Sequence, residues 1–263
     1  MKRYIFIPIL ALALLSACST TKVGGRTYNI LPLDIEREDF SIVAEDNYQE
    51  TMKTIVEPYL DSIRHIGTLS ALRDGHRIYY EYFDIEEEKG SVVILHGFTE
   101  FIRKYSEIIY YFSQAGYDVY MIEHYGHGYS ERRSDVQDNL SKVAVDDFDV
   151  YTEDVKQFVD QVVLPKAKDN PLILFGHSMG GGVATRFLEI YPDIFSYAIL
   201  SSPMIGIEMG AVPEFVAKFL SSSANLFGRG DDYIFGHNDW DAIEAFSDPG
   251  CPATSYPRYK YFF

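Results

Sequence analysis

Gly176-His177-Ser178-Met179-Gly180 has the residue types and spacing for nucleophilic chemistry. A serine hydroxyl attacks a carbonyl only when the backbone presents it, and G-x-S-x-G presents it by flanking a sharp turn with glycines. Leu172-Ile173-Leu174-Phe175 before the turn reads as a short buried strand. Gly180-Gly181-Gly182-Val183-Ala184 after it reads as the start of a helix, whose N-terminus supplies free N–H groups and a positive dipole end. A serine in an ordinary tight turn is the alternative. The strand–turn–helix setting favours Ser178 as nucleophile, with the Met179 N–H as one oxyanion donor.

A second stretch points to the same place. Ser91-Val92-Val93-Ile94-Leu95 is a continuous apolar run of the kind buried on both sheet faces. It ends in His96-Gly97-Phe98-Thr99-Glu100, where Gly97 lets the chain leave the sheet and makes the Phe98 amide a candidate second oxyanion donor. A plain strand-to-loop glycine is the competing reading. Glu123-His124-Tyr125-Gly126-His127-Gly128-Tyr129-Ser130 is a glycine-rich loop at another strand end. Its two histidines have no third ligand at a recognisable spacing, so a metal site is not expected, and nothing points to a nucleotide or other cofactor. His96 and His177 read as structural.

These stretches need a scaffold of alternating elements. Thr68 to Tyr82 reads as a hairpin turning at Asp74-Gly75. Tyr105 to Ala115 reads as a helix closed by Gly116, and Tyr117 to Ile122 as a buried strand. Val145 to Val163 is an amphipathic crossover helix with Asp146 or Asp147 as cap, and Ser196 to Ser201 is one more parallel strand. Strand and helix alternate, so the expectation is a mostly parallel α/β sheet.

The two ends differ in style. Met1-Lys2-Arg3-Tyr4 is a basic start, Ile5 to Leu15 is an apolar run too short to span a bilayer comfortably, and Leu15-Ser16-Ala17-Cys18 follows. That tetrapeptide resembles the bacterial lipobox, which implies cleavage before Cys18, lipidation of its thiol and anchoring in the cell envelope. Ser19 after the cysteine favours the outer membrane. An ordinary secretory signal is the alternative. Cys251 then has no disulfide partner within the chain. Residues 19–39 read as a polar tether, and residues 40–66 as a helical segment that Pro58 bends or ends. Residues 67–204 form the core. Residues 205–263, with an apolar stripe at Val212, Phe215, Val216, Phe219 and Leu220, read as a partial lid. The chain has 263 residues, 47% of them hydrophobic, and a formal charge of −16, which argues against nucleic acid as a partner.

Together, and in this order, the motifs resemble the α/β-hydrolase fold. Within it they are similar to the monoacylglycerol lipase and lysophospholipase group, often called serine aminopeptidase S33 or Hydrolase-4 domains. The carriers are His96 to Glu100 with Lys104-Tyr105, then Gly126 to Ser130, then Gly176 to Gly181, with Ser202-Pro203-Met204 and Ser255-Tyr256-Pro257-Arg258-Tyr259 added. One departure is Glu123-His124-Tyr125, where the group has an Asp-His-Arg-like run. The resemblance implies attack by Ser178 on a fatty-acyl ester, the amides of Phe98 and Met179 holding the oxyanion, and hydrolysis of the acyl-enzyme by water.

The resemblance also implies an acid and a base after Ser178 in chain order. No strand-end Asp or Gly-x-x-His pattern follows Ser178. The single later histidine, His237, lies in the lid segment and is a poor candidate. Acid, base and the final strands are therefore expected to be absent from these residues, with two explanations open. One is a fragment of a longer lipid esterase. The other is a truncated, inactive lipoprotein that binds lipid or a partner. A peptide or small-ester substrate is a further variant, and oligomeric state is open.

Overall fold

The computed structural model describes the strands at 19–23 and 26–30, and residues 42–168, 170–206 and 254–262. The chain divides into two compact units, residues 1–42 and 43–263. In the first, β1 (Ser19–Val23) and β2 (Arg26–Ile30) pair antiparallel, Ser19 opposite Ile30. The stretch read from sequence as a tether thus contains a hairpin. β1 has Val23 as its one apolar residue and β2 alternates only over Thr27-Tyr28-Asn29-Ile30, too short a run for periodicity to reveal it. Cys18 and the leader lie outside the described residues.

The second unit is built on a six-stranded sheet. Its strands are β3 (Arg64–Ser70), β4 (Arg77–Phe83), β5 (Gly90–Leu95), β6 (Tyr117–Ile122), β7 (Leu172–His177) and β8 (Tyr197–Ser201), in spatial order β3-β4-β6-β5-β7-β8. The β3–β4 and β4–β6 pairs are antiparallel, and the rest are parallel. All six residues of β5 are buried, as expected for a central strand covered on both faces. β8 is one of the two edge strands among the described residues, with Tyr197 65% and Ile199 44% exposed.

Helices cover both faces. α1 (Tyr48–Thr51) and α2 (Glu57–Ile63) run on through a widened turn at Met52–Val56. Pro58 does not end the helix. It sits inside the continuous helix just after the wide turn, and that local widening accommodates the proline ring and its missing N–H. With α3 (Ser106–Gln114) these helices bury Tyr48, Met52, Leu60 and Ile109 against Val92, Ile94 and Val119. Gly116, at φ +90°, closes α3 as expected.

The opposite face carries α4 (Asp149–Phe158) and α5 (Met179–Ile190), whose Val155, Phe158, Val183 and Phe187 pack on Val93, Leu95 and Leu174. α4 begins four residues later than the periodicity suggests. Asp147 accepts the Asp149 N–H at 3.0 Å, and Phe148 stays partly exposed ahead of the helix. Of residues 205–263, read from sequence as a partial lid, 207–253 with the apolar stripe, Cys251 and His237 lie outside the described residues. The far end forms α6 (Tyr256–Phe262), which docks on the α1/α3 layer. There Arg258 grips Glu107 with two hydrogen bonds of 2.8 and 2.6 Å and lies 4.7 Å over the Tyr48 ring.

Candidate active site

Ser178 stands between β7 and α5 with φ 50° and ψ −117°, a conformation costing a non-glycine residue about 1–3 kcal/mol. Neighbouring contacts hold it there. Its N–H donates to the Ser201 carbonyl at 3.0 Å, and its carbonyl accepts from Gly182 at 3.1 Å and Met204 at 2.8 Å. Glycine is required on either side by close approach. A Cβ at Gly176 would lie 2.7 Å from the Gly180 carbonyl oxygen, and one at Gly180 would lie 2.2 Å from that of Leu95. Met179 is the first residue of α5 and is buried.

The adjacent strand brings the second stretch alongside. Leu95 pairs with Gly176, so the turn after β5 emerges next to the serine turn. Within it the Phe98 N–H has no acceptor among the described residues, while the Phe98 ring is exposed and meets His127 edge-on at 5.7 Å. Ser178, Met179 and Phe98 are therefore gathered at the C-terminal ends of neighbouring parallel strands, the place where open α/β sheets bind ligands. Cys18 and His237 are not described. Among the described residues, no side chain hydrogen-bonds the Ser178 hydroxyl, and no group of three His, Cys, Asp or Glu side chains is arranged to hold a metal ion.

Glu100 ties the two turns together. One of its oxygens accepts from the Gly97 N–H at 2.6 Å, the Tyr105 hydroxyl at 2.6 Å and His177 Nδ1 at 3.2 Å. Burial alone would raise the Glu100 carboxyl, but the hydrogen bonds from His177, Tyr105 and Gly97 outweigh it and hold it at about 2. The same hydrogen bond raises His177 above its ordinary value. The sequence reading treats His177 as structural, and it does not see that Glu100 is its partner 77 residues away.

Behind these turns lies a buried histidine cluster. His96 hydrogen-bonds the Gly97 carbonyl through Nδ1 at 2.8 Å, and its Nε2 accepts the His124 N–H at 3.0 Å. Burial pushes His96 down to about 3 and His127 to about 4, and it holds His124 well below its ordinary value. Both ring nitrogens of His124 are buried with no hydrogen-bond partner in the described structure. Glu123 braces the loop: its carboxylate accepts from the Ile102 N–H at 3.2 Å and from the Tyr129 N–H. The longer acid thus fills the role of a loop-bracing carboxylate.

Residues 86–233 match the family model described as serine aminopeptidase, S33, also termed Hydrolase_4. The chain belongs to the S33 family. Its fold is that of the α/β-hydrolases. Among curated relatives of this S33 chain, lysophospholipase L2 of Escherichia coli (strain K12) is 35% identical over 153 residues, covering 58% of this chain and 44% of that protein. Monoglyceride lipase of Mus musculus is 30% identical over 186 residues, covering 67% and 57%. The chain thus spans about half the length of the curated relatives it matches. Two solved structures share the fold. A thermostable carboxyl esterase from Bacillus coagulans has a TM-score of 0.50 at 23% identity, over 65% of this chain and 53% of that one. A soluble variant of monoglyceride lipase from Saccharomyces cerevisiae has a TM-score of 0.50 at 22% identity, over 63% and 53%.

Proposed function

We propose that this S33 chain carries the nucleophile half of a serine esterase that cleaves carboxylic esters of lipids, a lysophospholipid or a monoacylglycerol. The observation that supports it most is the strained Ser178 at a parallel strand end, beside an unoccupied Phe98 N–H. The similarity to lysophospholipases and monoglyceride lipases supplies the substrate class. In this reading Ser178 Oγ attacks the ester carbonyl carbon, and the carbonyl oxygen takes the negative charge between the amides of Met179 and Phe98. The C–O bond to the leaving alcohol then breaks and leaves an acyl-serine, which water hydrolyses to the free acid. Each oxyanion donor contributes about 2.7–4 kcal/mol to the transition state. The base that takes the Ser178 proton, and the acid that orients that base, are assigned to residues outside the described set.

A fluorophosphonate probe tests the nucleophile. Labelling at Ser178 that Ser178→Ala abolishes is the expected result, measured in the full natural reading frame. Absence of labelling there overturns the reading. A panel of monoacylglycerols, lysophospholipids, short esters and peptides then assigns the substrate. A second reading, an inactive lipoprotein that binds lipid or a partner, draws on the lack of a side chain hydrogen-bonded to Ser178 among the described residues. It expects saturable acyl binding without labelling or turnover.

We also propose that the chain is anchored to the cell envelope, at the outer membrane, through acyl groups on Cys18. Among the described residues, no helix is long and apolar enough to cross a membrane. Several acyl chains on one cysteine anchor stably at roughly 0.8 kcal/mol per buried CH₂. Cys18→Ala is expected to move the protein from the membrane fraction to the soluble fraction on centrifugation; retention in the membrane would refute the anchor.

A further inference from the structure

β4 alternates, and its odd residues Tyr79, Glu81 and Phe83 line one face of a cleft of about 540 Å³. That volume is in the range of small-molecule sites. α2 and α3 form the other walls, and none of the lining residues belongs to the serine turn or to the turn after β5. Glu81 occupies an inward position where an apolar side chain would complete the pattern, which in a strand marks either a fault or a function. It is 8% exposed. One of its oxygens accepts the Tyr79 hydroxyl at 2.6 Å; the other has only the Arg64 guanidinium, 4.0 Å away and beyond hydrogen-bond reach. That oxygen is not sealed from solvent and has no protein donor in hydrogen-bond reach, so it is open to a cation that enters the cleft.

The cleft's own cations are already engaged. Arg64 pairs with Asp61 at 2.5 Å, and Arg103 with Glu57 at 3.2 Å. Three carboxylates therefore face two guanidiniums, leaving the lining net negative. Two aromatic faces complete it: Tyr79 and Tyr129 meet at 5.2 Å with their planes inclined by 54°. Such a corner of π faces beside a carboxylate suits an organic cation. Burial also raises the Glu81 carboxyl above its ordinary range against the opposing Tyr79 hydrogen bond and the Arg64 charge, the strain that a seated cation relieves.

We propose that this cleft is a binding site, separate from Ser178, for an organic ammonium ion with an apolar body: the N–H groups on the free oxygen of Glu81 and the body against the faces of Tyr79, Tyr129 and Phe83. The proposal does not depend on the esterase reading.

The test is an NMR titration of the protein with benzylammonium chloride and, separately, with benzyl alcohol, its neutral near-isostere. Expected are saturable shifts of β4 and α3 amides, with benzylammonium bound at least tenfold more tightly. Glu81→Gln should weaken benzylammonium at least tenfold. Ile66→Arg, which puts a cation on a lining residue that is 60% exposed, should also weaken it and leaves the core untouched. Ser178→Ala should bind as the parent does, which separates this site from the fate of the esterase reading. Equal affinity for the two probes, insensitivity to both cleft variants, or no saturable shift at β4 overturns the proposal.

Discussion

At the scale of single residues, Ser178 shows how a strained conformation is maintained. Its left-handed backbone is held by hydrogen bonds to Ser201, Gly182 and Met204, and by glycines that let α5 approach the end of β5. Gly180→Ala would drive a methyl group into the Leu95 carbonyl at 2.2 Å. A loss of about 1–3 kcal/mol in urea unfolding is expected from such overpacking. An unchanged midpoint would show that α5 can retreat freely. Glu100 is the second instructive residue, because three donors converge on one of its oxygens. With Glu100→Gln the carboxylate whose hydrogen bond and charge raise His177 is gone. The His177 imidazole is then expected to titrate at lower pH than in the parent, read from its NMR shifts. An unmoved titration would remove Glu100 as the cause.

At the scale of elements, the central strands and their helices announce themselves. β5 and β7 are short apolar runs ended by glycine turns, and α4 has a clear apolar face. Local information of that kind is enough because each element buries one face or both. The docking of α6 is different. Arg258 reaches Glu107, 151 residues away, and also lies on the Tyr48 ring. Nothing in Ser255-Tyr256-Pro257-Arg258-Tyr259 names that partner. Arg258→Ala leaves the Glu107 carboxylate, 12% exposed, without its two strongest donors. A loss of about 1–3 kcal/mol by denaturant unfolding is expected, with Arg258→Lys recovering part of it, since a lysine cannot form the two-pronged contact. Equal stability of Ala and parent would mean that α6 contributes nothing to the unit.

At the scale of the whole molecule, the buried histidines set an acid limit. His124 stays neutral in the folded protein well below pH 6.5 but takes a proton when unfolded. The unfolded state therefore binds more protons below pH 6.5, and folding stability falls as pH falls, by about 1.4 kcal/mol per pH unit for each such group. His124→Phe removes one of them. The stability of the variant relative to the parent should then rise by about 2 kcal/mol between pH 7.5 and pH 5, in paired urea titrations. A difference independent of pH would show that His124 titrates alike in the folded and unfolded states. His76 has the opposite sign. Burial lowers it, but hydrogen bonds to Asp154 at 2.8 Å and Asp74 at 2.5 Å outweigh this and raise it. Its contribution is whole below pH 6.5 and is lost as pH rises through the folded value.

By itself the sequence determined the strained serine turn, the parallel strands around it and the family resemblance, because each depends on neighbours within a few residues. Glycine spacing around Ser178 and the apolar run of β5 are instructions of that short range. The tertiary structure alone decided the strand order, which sets β5 beside β7 and so brings Phe98 to Ser178. It also decided the company of the charged residues. Glu81 and Glu100 are both acids with an aromatic neighbour in the sequence. One lines a cleft with the Tyr79 hydroxyl as its single hydrogen-bond donor, and the other receives three donors on one oxygen, from Gly97, Tyr105 and His177. Tertiary packing decides how many donors reach each carboxylate, and that difference separates a brace from a candidate binding group.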